Sequence, residues 1–146
     1  MLSAACRDSI RAMIYIANLS KKEKYKDRFI SIYKIARDLG LSFYFLSKNF
    51  QKLVKAGLLE SHRGPQGGVK LLKPPSKIRL IDIVAVIDGM DFFNNCILGF
   101  EKCSDENPCS IHNLWADKRR QILSMFEKTT LEDAIRNIEK FENIKV

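Results

Sequence analysis

Three stretches predict a mainly α-helical fold with one small β-wing, a winged helix-turn-helix head carrying one long helix. Residues 31–57 hold two short amphipathic segments that meet at Gly40. Residues 58–72 hold two strand-like runs around the glycine-rich turn Arg63–Gly68. Residues 111–128 carry an apolar seam over about five helical turns.

At 146 residues the chain fits one domain, or one small domain with an arm. No apolar run approaches the roughly 20 residues of a membrane-spanning helix. The N-terminus carries charges inside its apolar pattern and has no signal-peptide layout. The expectation is a soluble cytoplasmic protein with no membrane partner. The formal charge of +8, from 25 Lys+Arg against 17 Asp+Glu, suits a polyanion such as DNA, although many soluble proteins are mildly basic. The placement of the charges carries more weight than their sum.

Residues 3–19 read as a helix, with Ile10, Met13, Ile14 and Ala17 as its apolar stripe. Lys21–Asp27 breaks the pattern and reads as a solvated loop. In Ser31–Gly40, Ser31 is a cap candidate, Ile32, Ile35, Ala36 and Leu39 form the buried stripe, and Gly40 stands where a left-handed terminator is wanted. Ser42 opens a second helix to Ala56, which buries Leu46, Phe50 and Leu53. Two short helices joined by a tight glycine turn are the layout of a helix-turn-helix.

The second helix is the candidate recognition helix. Tyr44, Lys48, Gln51 and Lys55 recur at i, i+4, i+7 and i+11 opposite its apolar stripe, a face of donors for phosphates and base edges. An ordinary solvated face would look the same. The next residues tip the balance. Leu58–His62 and Val69–Leu72 read as a hairpin whose tip carries Arg63, Gly64 and Gln66. A wing there can lay Arg63 into the minor groove, where negative potential concentrates. Ser42 is read chiefly as a cap, with a helix N-terminus that could also face phosphate.

Residues 78–88 read as a helix on Leu80, Val84 and Ile87, with Asp82 at its positive end. The segment 96–112 then gathers Cys96, Cys103, Cys109 and His112 in the spacing C-x6-C-x5-C-x2-H. Thiolate and imidazole are soft-to-borderline ligands, and a loop can fold three or four of them around one centre. In a reducing compartment clustered cysteines point to a metal or redox site rather than to structural disulfides. Iron–sulfur, zinc and metal-free thiol sensing all stay open on the residues alone. The seam of the next helix, Ile111, Leu114, Trp115, Ile122, Met125 and Phe126, is a natural dimer element. Thr130 and Asp133 resemble a capping box for a last helix with Leu131, Ala134, Ile135 and Ile138 on one face. Cys6 stands apart, read as a small buried hydrophobe or an inert thiol.

Taken together, the wing tip RGPQGGVKLL after GLLES, the IDIVAVIDG segment, the three cysteines and PCSIHNLW resemble the IscR/NsrR-type winged-helix transcription regulators over nearly the whole chain. The resemblance implies a homodimer with a long dimerisation helix, binding double-stranded DNA at a near-palindromic operator. It implies an iron–sulfur cluster on Cys96, Cys103 and Cys109. The fourth ligand it implies is His112 in the 2Fe–2S, IscR-like case, taken here as first choice. In the 4Fe–4S, NsrR-like case the ligand would be Asp8, supplied across the dimer. This sequence departs from the better-known members by one extra residue in the first cysteine gap. It also has Ser47 where the IscR type places a base-reading Glu.

The expected organisation is a DNA-binding head at 1–89, a cluster-binding loop at 90–112 and a dimerisation arm with the C-terminal helix at 113–146. The expected function is a regulator whose DNA affinity follows the cluster state, with a metal-free thiol-based redox regulator as the alternative. An electron carrier ranks lower, because it has no use for a basic wing. A catalytic role lacks a nucleophile–base pair in a chain with two histidines.

Overall fold

The computed structural model describes residues 1–101 and 104–138. Helix α1 (Ala4–Ser20) is the axle of the head and packs against three later helices and the second helix of the turn motif. Ser3 caps it by accepting from the Cys6 N–H at 3.0 Å, and its own N–H and hydroxyl donate to Asp88. The buried face is Cys6, Ser9, Ala12, Met13, Ile16, Ala17 and Leu19. Ile10 and Ile14, expected in the stripe, are only half-buried. The stripe is rotated because small side chains at 6, 9 and 12 let neighbouring helices come close, whereas β-branched residues there would hold them off. Lys21–Asp27 is solvated as expected, with one short 3-10 turn at Glu23–Tyr25.

Helix α2 (Ile32–Leu39) buries Ile35, Ala36 and Leu39. Ser31 precedes it without a side-chain cap bond; the bridge between Ile30 and Val69 fixes the chain entry instead. Gly40 ends α2 with φ +65°, and its N–H returns to the Ala36 and Arg37 carbonyls. Helix α3 (Phe43–Lys55) follows, capped by Ser42, which accepts from the Phe45 N–H at 3.4 Å. Leu46, Phe50 and Leu53 are buried as the spacing predicts, with Asn49 beside them.

The wing consists of β1 (Leu59–His62) and β2 (Gly68–Leu71), antiparallel, pairing Leu59 with Leu71 and His62 with Gly68. Ile30 adds a third edge through two bonds with Val69, at 2.8 and 2.9 Å. Helix α4 (Leu80–Ile87) starts where the Asp82 carboxylate accepts from the Arg79 backbone N–H and from its guanidinium, each at 2.9 Å. Val84 is buried as expected, joined by Ile81 and Ile83, whereas the expected Leu80 and Ile87 are only half-buried. The reason is that α4 is covered on two sides. Ile83 enters the head core, while Ile81 and Val84 join Cys6 and Phe93 in a second cluster.

A single turn, α5 (Asp91–Asn94), leads into the cysteine loop, and α6 (His112–Lys128) leaves it. The predicted seam of α6 divides into two faces. Trp115, Ile122 and Phe126 are half-buried, with Phe92 edge-on to Trp115 and Phe93 edge-on to Phe126. Ile111, Leu114 and Met125 face solvent, Leu114 at 72 % exposure. The chain then returns: α7 (Leu131–Ile138) is opened by the Thr130–Asp133 box and places Leu131 and Ile135 in the head core. Fully burying two such side chains contributes about 1.5–3 kcal/mol each. Among the described residues, no helix is long and apolar enough to cross a membrane.

Candidate functional site

Two sites can be built from the residues upward. The first lies at the foot of α6. Cys96 follows α5 and is buried; Cys109 is half-buried just before α6; their Sγ atoms are 3.9 Å apart. A disulfide needs about 2.05 Å, so the two thiols are free. Two thiolates on one tetrahedral metal, with bonds of ~2.3 Å, stand roughly 3.7 Å apart. The observed gap is close to that spacing.

Burial alone would push the Cys96 thiol up. The backbone N–H groups of Leu98, Phe100 and Gly99, together with Cys109, outweigh it and hold Cys96 below the ordinary thiol value. That stabilises the thiolate, the form that binds metal. The loop start is fixed from α6. The Trp115 indole N–H donates to the Asn95 carbonyl at 3.2 Å, and Arg119 donates to the Asn94 carbonyl at 3.3 Å. These two side chains, one turn apart on α6, went unrecognised in the sequence as positioning residues; the i, i+4 spacing was the available signal.

His112, the first residue of α6, is 4 % exposed and lines the same cavity of about 630 Å³ as Cys96 and Cys109. Its Nε2 lies 2.8 Å from Asp105 Oδ1. Asp105 is a further residue that spacing did not single out. A carboxylate on one ring nitrogen fixes the tautomer of an imidazole. Cys103 lies outside the described residues. Among the described residues no group of three candidate ligands is gathered around one point. Asp8 sits elsewhere in this subunit, paired with Arg11 and lining a separate cavity between α1 and α3.

The second site is the outer face of α3 with the wing. Tyr44, Lys48, Gln51 and Lys55 are all exposed, as are Arg63, Gly64 and Gln66 at the wing tip. Lys48 Nζ lies 4.5 Å from the Tyr44 ring centroid, a cation–π contact. Ser42 is occupied as the α3 cap. Gln51, Lys55, Arg63 and Gly64 line one groove of about 590 Å³ between α3 and the wing. Tyr33 and Phe43, missed in the sequence because ten residues separate them, form its far wall. The groove is basic and open, with a helix on one side and a hairpin on the other. That arrangement can straddle one strand of a duplex, the helix in the major groove and the wing beyond it.

Comparison with known proteins agrees with this geometry. The family Rrf2, described as an iron-dependent transcriptional regulator, matches residues 2–137. A candidate HTH-type transcriptional regulator of Aquifex aeolicus is 35% identical over 136 residues, covering 91% of this chain and 92% of that protein. The HTH-type transcriptional regulator IscR of Yersinia pestis is 31% identical over 136 residues, covering 93% of this chain and 79% of its own length. Among solved structures, CymR, the global cysteine regulator of B. subtilis, superposes with a TM-score of 0.75 at 30% identity, covering 94% of this chain and 97% of that one.

Proposed function

The chain belongs to the Rrf2 family of transcriptional regulators, and from that premise we propose a cytoplasmic homodimer whose affinity for a near-palindromic operator is set by an iron–sulfur cluster. Cys96, Cys103 and Cys109 would hold the cluster, with His112 as fourth ligand and 2Fe–2S as its type. Asp8 of a second subunit and 4Fe–4S are the alternative. When bound, the cluster supplies a multi-point tether between residues far apart in the loop. The observation that carries the reading is the Cys96–Cys109 pair at 3.9 Å, in one cavity with a buried His112.

The loop runs from α5 to α6, and α6 bears the exposed Leu114 and Met125 that a second copy would cover. Trp115 and Arg119 connect the peptide before Cys96 to that same helix. Ordering residues 96–112 therefore bears on the angle between α6 and the head, and so on the spacing of two heads across a dimer. If two spacings differ in fit to the operator, DNA affinity differs between the states by linkage. Arg63, Gly64 and Gln66 would meet the minor groove or phosphates, and Tyr44, Lys48, Gln51 and Lys55 the major groove.

A second reading rests on the same 3.9 Å gap. A peroxide could take two electrons and the two thiol protons from Cys96 and Cys109, leaving water and a Cys96–Cys109 disulfide. Iron and acid-labile sulfide counts on protein purified without oxygen separate the two. Stoichiometric iron and sulfide support the cluster. A colourless protein whose peroxide-treated form yields a Cys96–Cys109 cross-linked peptide supports the thiol switch.

A further inference from the structure

The groove between α3 and the wing has a wall that phosphate contacts do not explain. Tyr33, in the first turn of α2, and Phe43, in the first turn of α3, stack with centroids 3.8 Å apart and planes within 4°. Tyr33 is 69 % exposed and Phe43 36 %. Each ring covers one face of the other; most of Tyr33 and about a third of Phe43 remain open to solvent. Such exposed apolar surface is costly in water and points to an apolar contact.

The groove also carries the short hydroxyls of Ser31, Ser47 and Ser61 and the imidazole of His62, but long base-edge readers on α3 are few. Helix α3 contains no Arg, so the commonest bidentate guanine reader is missing from it. Asn49 is buried, which leaves Gln51 as the one amide of α3 on the groove. Lys48 is drawn over the Tyr44 ring. No acidic residue lies in Phe43–Lys55, while Lys55 and Arg63 line the groove, so its charge suits a polyanion. Thymine is the one DNA base that presents an apolar group, its C5 methyl, in the major groove.

We infer that the stacked Tyr33–Phe43 wall is a specificity element that reads thymine methyl groups in the operator. This rests on the DNA-binding reading above and names what that site selects. The half-site lying under the first turn of α3 is then T-containing, and its recognition depends on the methyl groups rather than on base-edge hydrogen bonds alone.

The test uses full-length protein purified without oxygen. A preferred duplex is selected from a random pool, and each thymine is then replaced in turn by deoxyuridine. This removes the methyl and leaves the hydrogen-bonding edges intact. Each contacted methyl lost is expected to weaken binding by about fourfold. In Phe43→Ala and Tyr33→Ala the deoxyuridine penalty disappears while salt-sensitive binding persists, and Phe43→Leu retains part of the penalty. Because Tyr33 is largely exposed, Tyr33→Ala carries the test even if Phe43→Ala disturbs folding. A wild-type protein indifferent to every deoxyuridine overturns the inference and leaves DNA binding standing. So does a penalty that survives in both alanine variants. Failure to select any duplex overturns both.

Discussion

Gly68→Ala is predicted to be among the most damaging single-methyl changes in the chain. Gly68 opens β2 at φ +148°, and a Cβ built there would lie 2.0 Å from the Ile30 carbonyl oxygen and 2.8 Å from the Ser31 nitrogen. Both neighbours are backbone, so no side chain can swing aside. Relieving the contact requires a shift of roughly 1 Å or more. That stretches the two Ile30–Val69 bonds, now 2.8 and 2.9 Å, past useful length. Each contributes about 1 kcal/mol net. The unfavourable φ adds about 1–3 kcal/mol for a residue with a Cβ. The total is about 3–5 kcal/mol, a large share of a typical domain stability of about 5–15 kcal/mol. Gly40→Ala is the comparison: φ is +65° but nothing stands within 4 Å, so only the conformational cost of about 1–2 kcal/mol applies. Urea denaturation followed by circular dichroism measures both. Equal losses in the two variants would refute the claim that close packing of the wing on Ile30, rather than positive φ, dominates at Gly68.

Arg63→Ala should weaken operator binding and lower the slope of log affinity against log salt by about one counterion, with any cluster absorbance unchanged. Leu114→Glu, at a 72 % exposed position on α6, should leave the subunit folded and raise the dimer dissociation constant roughly tenfold or more in sedimentation experiments. Burial, with the Asp88 carboxylate adding to it, pushes the Cys6 thiol up to about 12. Iodoacetamide at pH 8 should therefore spare Cys6 in the folded protein and label it once urea is added. The Asp38 carboxylate is held down at about 2 by hydrogen bonds from Lys34 and Tyr15, with Arg37 assisting. Its folded value lies below the unfolded one, so its contribution is present above about pH 4 and lost as pH falls towards about 2. Asp38→Ala should cost about 1 kcal/mol at pH 7 after allowance for solvent screening, and the gap from wild type should close on acidification.

Much of the head was legible because its signals are local. Gly40, the Ser42 cap and the 3.6-residue spacing of Leu46, Phe50 and Leu53 each act within one or two turns, and all three appear in the structure. The wing was legible to within one residue at each strand, since its turn chemistry is also local. The α1 stripe was legible at Met13 and Ala17 but not at Ile10 and Ile14: which face is buried depends on helices arriving from residues 80 and 131 onwards, and small residues at Ser9 and Ala12 look neutral in one dimension. The division of the α6 seam has the same origin, because Trp115 and Phe126 are claimed by Phe92 and Phe93 while Leu114 is not. In the candidate cluster loop, the cysteine spacing stood out, but the His112–Asp105 contact depends on a loop with no periodicity. The Tyr33–Phe43 wall joins two helices across a turn, so neither helical pattern registers it.

The most direct test of the central claim compares one operator duplex with two forms of the same protein. One is purified without oxygen, with iron and sulfide counted and the type assigned by Mössbauer spectra; the other is stripped of iron. Stoichiometric iron and sulfide are expected in the first form, with a difference in operator affinity of about fivefold or more between the two. Cys103→Ala should abolish that difference. Equal affinity of the two forms across the selected operators, with iron and sulfide present in the first, would contradict the claim.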